Sequence, residues 1–237
     1  MEPIYNTEYA QKEFAEHGEL WILAMLKNKL ETIFDVGCNI GEWTRMCRDL
    51  HPESKIHMFE IIPETFDQMM ANIVLDNYMH PNPFGLSDQN GKLTMKYKPE
   101  YSAVSTHLMN LRLDNSEIRT GLTIVGDDYC ESRRIEKIDY LKIDVEGAEK
   151  KVLNGFNRML SERRIDIIQF EYGYAAILSK FLLVDAYEYL EPFGFKLGKL
   201  TNGRVEFHPY TLLHETFQGP DYVAVHESRQ DFIQLLS

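Results

Sequence analysis

The sequence predicts an α/β fold, a Rossmann-like domain with a mostly parallel seven-stranded sheet, helices on both faces and an antiparallel closing strand pair. Three observations predict it. Short apolar runs of strand length alternate with helical stretches along the 237 residues, which is the pattern of a parallel sheet covered on both faces. Glycine turns follow the first such run, at Gly37 and Gly41. Acids close four of the runs, at Asp35, Glu60, Asp144 and Glu171.

The elements follow in order. Residues 7–28 carry Phe14, Leu20, Trp21, Ile22, Met25 and Leu26 and read as one or two helices on the sheet edge or over the ligand mouth. Residues 1–30 are taken as an N-terminal helical extension to a domain over 31–237. Residues 32–36 form the first strand. Residues 42–50 form a helix, with Trp43, Met46, Cys47 and Leu50 on one stripe, ended by His51-Pro52. Residues 56–59 are the second strand, and Pro63 opens a helix to about residue 72. A short third strand lies within 81–86. Gly91 turns the chain into 92–98, where Leu93, Met95 and Tyr97 alternate with polar residues.

Residues 101–120 are polar and aperiodic, and a loop that long is functional or disordered. A short strand at 123–125 is followed by a strong one at 139–144 and a helix over 147–156. Residues 165–171 form the next strand. A helix over 178–190 stops at Pro192 and Gly194. Residues 195–200 and 222–226 form the closing pair, and 229–236 a last helix.

In an open α/β sheet, ligands bind outside the carboxyl ends of the strands, where an acid can take both hydroxyls of a ribose. Asp35, the turn Gly37–Gly41 and Glu60 therefore suit a nucleoside. A P-loop needs a lysine after its last glycine, but Glu42 and Trp43 follow Gly41. A dinucleotide turn needs G-x-G-x-x-G, and the third glycine is missing. Asp35 and Glu42 would repel a pyrophosphate, which helix N-termini otherwise attract. They suit a nucleoside that carries positive charge, as S-adenosylmethionine does with its ammonium and sulfonium. The bland alternative is a tight strand-to-helix turn with no ligand.

Composition narrows the classes. Net charge is −12, from 37 acids and 25 bases, a poor match to the basic footprint of a nucleic-acid binder. Cys38, Cys47 and Cys130 form no C-x-x-C pair, which fits free thiols in a reducing compartment and no structural zinc. No apolar run is long enough for a membrane span, and residues 1–6 do not read as a secretory signal. The expected location is cytoplasmic.

The segment Asp139-Tyr-Leu-Lys-Ile-Asp-Val-Glu-Gly-Ala-Glu149 holds the chemistry. Side chains alternate along a strand, so Lys142 and Asp144 share one face. Repulsion among Asp144, Glu146 and Glu149 should raise at least one pKa unless a cation or hydrogen bonds intervene. The plain alternative is a capped helix start.

The motifs I-F-D-V-G-C-N-I-G, F-E-I-I-P, G-L-S-D-Q-N-G, L-K-I-D-V-E-G-A-E and I-Q-F-E-Y-G, in this order, resemble the FkbM-type methyltransferase family over residues 33–226. The resemblance implies a class I, S-adenosylmethionine-dependent O-methyltransferase acting on hydroxyls of sugars or small natural products. Asp35, Gly37, Asn39 and Gly41 would surround the methionine part of the cofactor, Glu60 the ribose, and Ser87 and Asp88 the adenine. Asp144 would lie between the methionine end and the acceptor. The acceptor itself is not fixed, and 101–120 is the expected place for its selection.

A sulfonium methyl is already activated, so the enzyme must align an acceptor oxygen and manage its proton. Candidate bases are Asp144, Glu146, Glu171 and His107, with Asp144 preferred. His107 has a suitable ordinary pKa, but loop histidines are commonly surface residues. A divalent ion would suit a carboxylate rim, although no ligand spacing specifies one and no metal ligand is assigned. The rivals are a non-catalytic nucleoside-binding scaffold and, less favoured by charge, a nucleic-acid methyltransferase.

Overall fold

The computed structural model describes residues 17–100, 102–110, 112–217, 219 and 221–237. Eleven strands are assigned among them: β1 (Thr32–Val36), β2 (Lys55–Phe59), β3 (Met79–Asn82), β4 (Gly85–Ser87), β5 (Gly91–Tyr97), β6 (Glu117–Val125), β7 (Ile138–Ile143), β8 (Ile165–Phe170), β9 (Phe195–Thr201), β10 (Arg204–Phe207) and β11 (Tyr222–His226). The α-helices are α1 (Glu19–Met25), α2 (Glu42–Leu50), α3 (Pro63–Asn72), α4 (Gly126–Arg133), α5 (Glu149–Gly155), α6 (Asn157–Ser161), α7 (Ala175–Ser179), α8 (Leu183–Leu190) and α9 (Gln230–Leu236).

The main sheet runs β10-β9-β11-β8-β7-β1-β2-β3. Strands β8, β7, β1, β2 and β3 are parallel, and β11, β9 and β10 are antiparallel. The mostly parallel sheet with an antiparallel closing pair is therefore present. It has eight strands rather than seven, because β10 folds back on β9 through a turn at Gly203. Residues 81–86 hold the ends of two short strands rather than a single third strand. Met79–Asn82 edges the main sheet, and Gly85–Ser87 joins β6 and β5 in a separate three-stranded sheet. The helix expected over 147–156 begins at Glu149, and that over 178–190 divides into α7 and α8.

The expected 101–120 loop is shorter than its composition suggested. Residues 117–120 already belong to β6 and pair with β5. Within that loop, residues 102–110 begin with a 3-10 turn at Ser102–Val104 and bridge back to β5 through Lys96 and Thr106.

Two apolar layers bury the sheet. Phe34, Leu141, Ile143, Ile168 and Phe170 pack with Phe156, Met159 and Leu183 on one face. Ile33, Ile56, Tyr140, Ile167 and Val223 pack with Trp43, Cys47 and Phe232 on the other. Ile22, Leu23, Leu26 and Leu30 lie in this second layer, so residues 17–30 share the domain core. Residues 1–16 of the expected extension lie outside the described residues. Among the described residues no helix is long and apolar enough to cross a membrane. The three cysteines are buried free thiols.

Candidate functional site

The sheet order sets β8, β7, β1 and β2 side by side. Glu171, Asp144 and Glu60 directly follow three of those strands, so chain geometry gathers them on one rim. Asp35 differs. It lies one residue inside β1 and is 0% exposed. Its Oδ2 accepts from Thr44 Oγ1 at 2.5 Å, while Oδ1 is buried without a partner. Burial raises its pKa, against the lowering effect of Lys142. Asp35 therefore supports the turn from below.

The turn itself needs its glycines. Gly37 has φ of +84° and Gly41 +86°, a region side chains rarely adopt. A Cβ on Gly37 would meet the Asp144 carbonyl oxygen at 1.8 Å, so β1 and β7 exit in direct backbone contact. Gly37 and Cys38 N–H groups donate to the Phe59 carbonyl. Asn39 also takes positive φ, at 48°. Its N–H donates to Glu60 Oε2 at 3.1 Å, and Ile62 N–H donates to Oε1 at 2.8 Å. Glu60 is thus locked against the turn. Burial outweighs these hydrogen bonds and pushes its pKa up to about 7.

At the neighbouring strand end, Lys142 Nζ donates to Asp144 Oδ2 at 2.7 Å. The shared face expected from strand alternation is there. Lys142 is 3% exposed, yet its pKa is raised: Asp144, Glu19, Asp35 and Asp221 together overcome burial. Asp144, Glu146 and Glu171 offer carboxylate oxygens that all lie within 4.8 Å of one another. Glu146 sits at φ +50°, followed by Gly147 at +101°. Such backbone strain in a non-glycine residue persists where surroundings fix it. Thr106 Oγ1 supplies that fixing, donating to the Glu146 carbonyl at 2.5 Å.

The cluster is proton-rich. Burial first, then Asp144 and Glu149, push Glu146 up to about 8. Glu171 is raised by burial and then by Asp144 and Glu146. Glu149 Oε1 accepts from Gly147 N–H at 3.1 Å, and burial lifts it to about 7. Carboxylates this close titrate as a unit that holds protons at neutral pH. The carboxylate oxygens of Asp144, Glu146 and Glu171 could also hold one cation.

The segment 102–110 spans both halves of the rim. Ser102 Oγ donates to Asn39 Oδ1 at 2.6 Å, and Thr106 reaches Glu146. Leu108 fills the space beside Gly147, where a Cβ would approach its Cδ1 at 2.6 Å. Spacing gave no sign of Ser102 or Thr106, which are single hydroxyls in a polar stretch. His107 is in this segment, but its ring Nδ1 is buried unpartnered. Burial and then Lys151 lower its pKa, and among the described residues no hydrogen bond joins it to the acids.

Ser87 and Asp88 are apart from this group. The Ser87 carbonyl packs where a Gly155 Cβ would point, at 2.2 Å, and its hydroxyl bonds Asp88 Oδ1 at 3.2 Å. No hydrogen bond joins either residue to Glu60 or the turn among the described residues.

Residues 35–197, more than half the chain, match the methyltransferase FkbM domain model. The hexuronic acid methyltransferase AglP of Haloferax volcanii is 29% identical over 160 residues, covering 66% of this chain and 64% of that protein. The 31-O-demethyl-FK506 methyltransferase FkbM of Streptomyces tacrolimicus is 29% identical over 154 residues, 53% of this chain and 59% of the relative. The 2-O-methyltransferase NoeI of Sinorhizobium fredii is 26% identical over 168 residues, 64% and 67% respectively. The chain thus spans about three fifths to two thirds of the curated relatives it matches. The turn, the rim acids and the strand that carries Lys142 all fall inside the matched stretch, and the chain belongs to the FkbM methyltransferase domain family.

Proposed function

We propose that the protein is an S-adenosylmethionine-dependent O-methyltransferase acting on a hydroxyl of a sugar, glycan or small natural product. The observation that carries this is the trio Asp144, Glu146 and Glu171, gathered within 4.8 Å beside the glycine turn. The relatives' names support the acceptor class, since one acts on a hexuronic acid and two name a numbered oxygen.

The residues present fit the cofactor. The buried Asp35 Oδ1 lacks a partner, and the flanking acids favour a cationic ligand. The methionine end would lie against residues 37–41. Each Glu60 oxygen already accepts one N–H and keeps a lone pair for a ribose hydroxyl. Ser87 and Asp88 are assigned to the adenine edge by the family resemblance. When bound, S-adenosylmethionine supplies an activated methyl group.

The chain's own task is to orient the acceptor and take its proton. Lys142 occupies one Asp144 oxygen, so Asp144 orients the hydroxyl and Glu146 receives the proton. A pKa of about 8 suits that transfer better than an ordinary carboxylate would. Glu171 shares the proton with Glu146. A divalent ion on the trio is the second reading, favoured by the same spacing. It would displace the shared protons, and turnover would then vanish with chelator and return with magnesium.

Calorimetric titration with S-adenosylmethionine and with NAD tests the cofactor. Incubation with labelled methyl donor and a hydroxyl panel tests the reaction. Binding of NAD alone would overturn the reading, and donor binding without turnover on any acceptor would favour a scaffold.

A further inference from the structure

A second concave region lies at the opposite end of the same strands. Thr32 and Lys55, register partners that begin β1 and β2, line it. Val36 and Phe59, register partners at the far ends, border the acid rim. Four residues at about 3.3 Å each separate the two ends by roughly 13 Å. The groove has a volume of about 680 Å³, within the range of roughly 300–1,000 Å³ usual for small-molecule sites.

Its charges run against the rest of the molecule. The chain carries −12 overall, and most arginines pair with a carboxylate, as Arg48 does with Asp76, Arg119 with Glu64 and Arg158 with Glu131. Lys55, Arg133 and Arg134 line the groove and have no ion-pair partner among the described residues. The Arg133 guanidinium lies 5.7 Å from the Tyr129 ring centroid. Two imidazoles complete this end. His57 is 5% exposed, meets the Tyr129 hydroxyl through Nδ1 at 2.8 Å, and stacks on His80 at 4.6 Å between centroids.

The acids of the groove do not cancel this group. Asp139 Oδ2 accepts from the Glu31 and Thr32 N–H groups, and its Oδ1 pairs with Lys137 at 3.1 Å. Glu31 and Glu136 are exposed. After burial, His80, Arg133 and Lys55 push His57 down to about 3, and Arg133 and Lys55 lower His80.

We propose that this groove binds a phosphate or diphosphate ester, held by Lys55, Arg133 and Arg134 beside the His57–His80 pair. A guanidinium matches phosphate oxygens with paired N–H donors. The groove is larger than inorganic phosphate requires, so the ligand has an organic part. The site is separate from the acid rim and does not depend on the methyl-transfer reading.

The test is a titration of the full chain with histidine rings observed by NMR. The probes are inorganic pyrophosphate, glucose 1-phosphate, and phosphatidic acid in phosphatidylcholine vesicles. The expected result is a saturable shift of the His57 and His80 resonances. The double variant Lys55→Ser with Arg133→Ser should bind at least about tenfold more weakly, since two charge-assisted contacts are lost. Both side chains are exposed, and an unchanged melting temperature would show that the variant is folded. Binding of glucose 1-phosphate identifies a free ester as the ligand, binding of vesicles alone a lipid headgroup, and binding of pyrophosphate alone would overturn the organic part of the proposal. Absence of a saturable shift with every probe, or equal affinity in the folded double variant, would overturn the proposal.

Discussion

The two faces of the central strands obey opposite rules. One is apolar at its centre: Phe34, Leu141, Ile143, Ile168 and Phe170 pack against Phe156. On the other, strand register aligns Asp35, Lys142 and Gln169 in one row across β1, β7 and β8. Tyr140 donates to Gln169 Oε1, and Gln169 Nε2 donates to Glu19 Oε1 at 2.8 Å and to Asp221. Burying charge is costly unless it is paired and hydrogen-bonded. The polar row is therefore a poor way to gain stability. It ends at Asp144, and the difference between the faces separates what holds the fold from what prepares the site.

Breaking the apolar face should act on stability alone. Phe156→Ala removes a side chain with 0% exposure and should cost about 3–5 kcal/mol, measured by denaturant unfolding. Cofactor affinity in the folded fraction should be unchanged. Breaking the polar face should instead act on both properties. Lys142→Met strands buried carboxylates, and removing one partner of such a pair costs about 3–5 kcal/mol. It should also lower turnover, because Asp144 loses the ammonium that orients it. A Lys142→Met variant with normal turnover would show the row to be structural only.

Glu60→Ala should act mainly on binding. Hydrogen bonds to a charged group are worth about 1.5–3 kcal/mol, so donor affinity should fall about tenfold or more, read by calorimetry. Methyl transfer at saturating donor should survive. The gentlest probe is pH. Folded Glu19 and Glu146 titrate near 8, and Glu60 and Glu149 near 7, against an ordinary value of 4.5. Between those values the folded state binds more protons than the unfolded one. Their contribution is fully present below about 4.5 and is lost as pH rises through 7 to 8. The melting temperature should therefore decline from pH 5 to pH 8. Glu60→Gln, uncharged at every pH, should flatten that decline.

The same contrast explains what could be read in the sequence. The parallel strands were legible because both their faces are buried, which leaves continuous apolar runs. Strand β10 was not, because Arg204 and Glu206 are exposed and only Val205 is fully buried. The first part of β6, residues 117–122, was hidden by exposed Ile118 and Leu122, and α4 by its Gly-Asp-Asp-Tyr-Cys-Glu-Ser-Arg sequence, which lacks an apolar stripe. Pro81 is tolerated in β3 because that strand is the sheet edge. At the site, the acids were legible as strand-end residues. The meeting of Glu19, Gln169 and Asp221 was not, since Glu19 and Gln169 are 150 positions apart in the chain. The placement of Asp35 beneath the turn also needed the structure, because one residue of strand extension decides between ligand contact and burial.

The most direct test of the central claim is the pH dependence of single-turnover methyl transfer in the wild type and in Glu146→Gln. It needs an acceptor from the hydroxyl panel, with donor affinity measured alongside. The wild-type rate should rise with pH and level off above about 8, where the Glu146 proton is lost. Glu146→Gln should lose about 10²-fold or more in rate together with that rising limb, since a positioned base is worth about 10²–10⁴-fold, and should bind the donor normally. A variant that keeps both the rate and the rising limb would contradict the account.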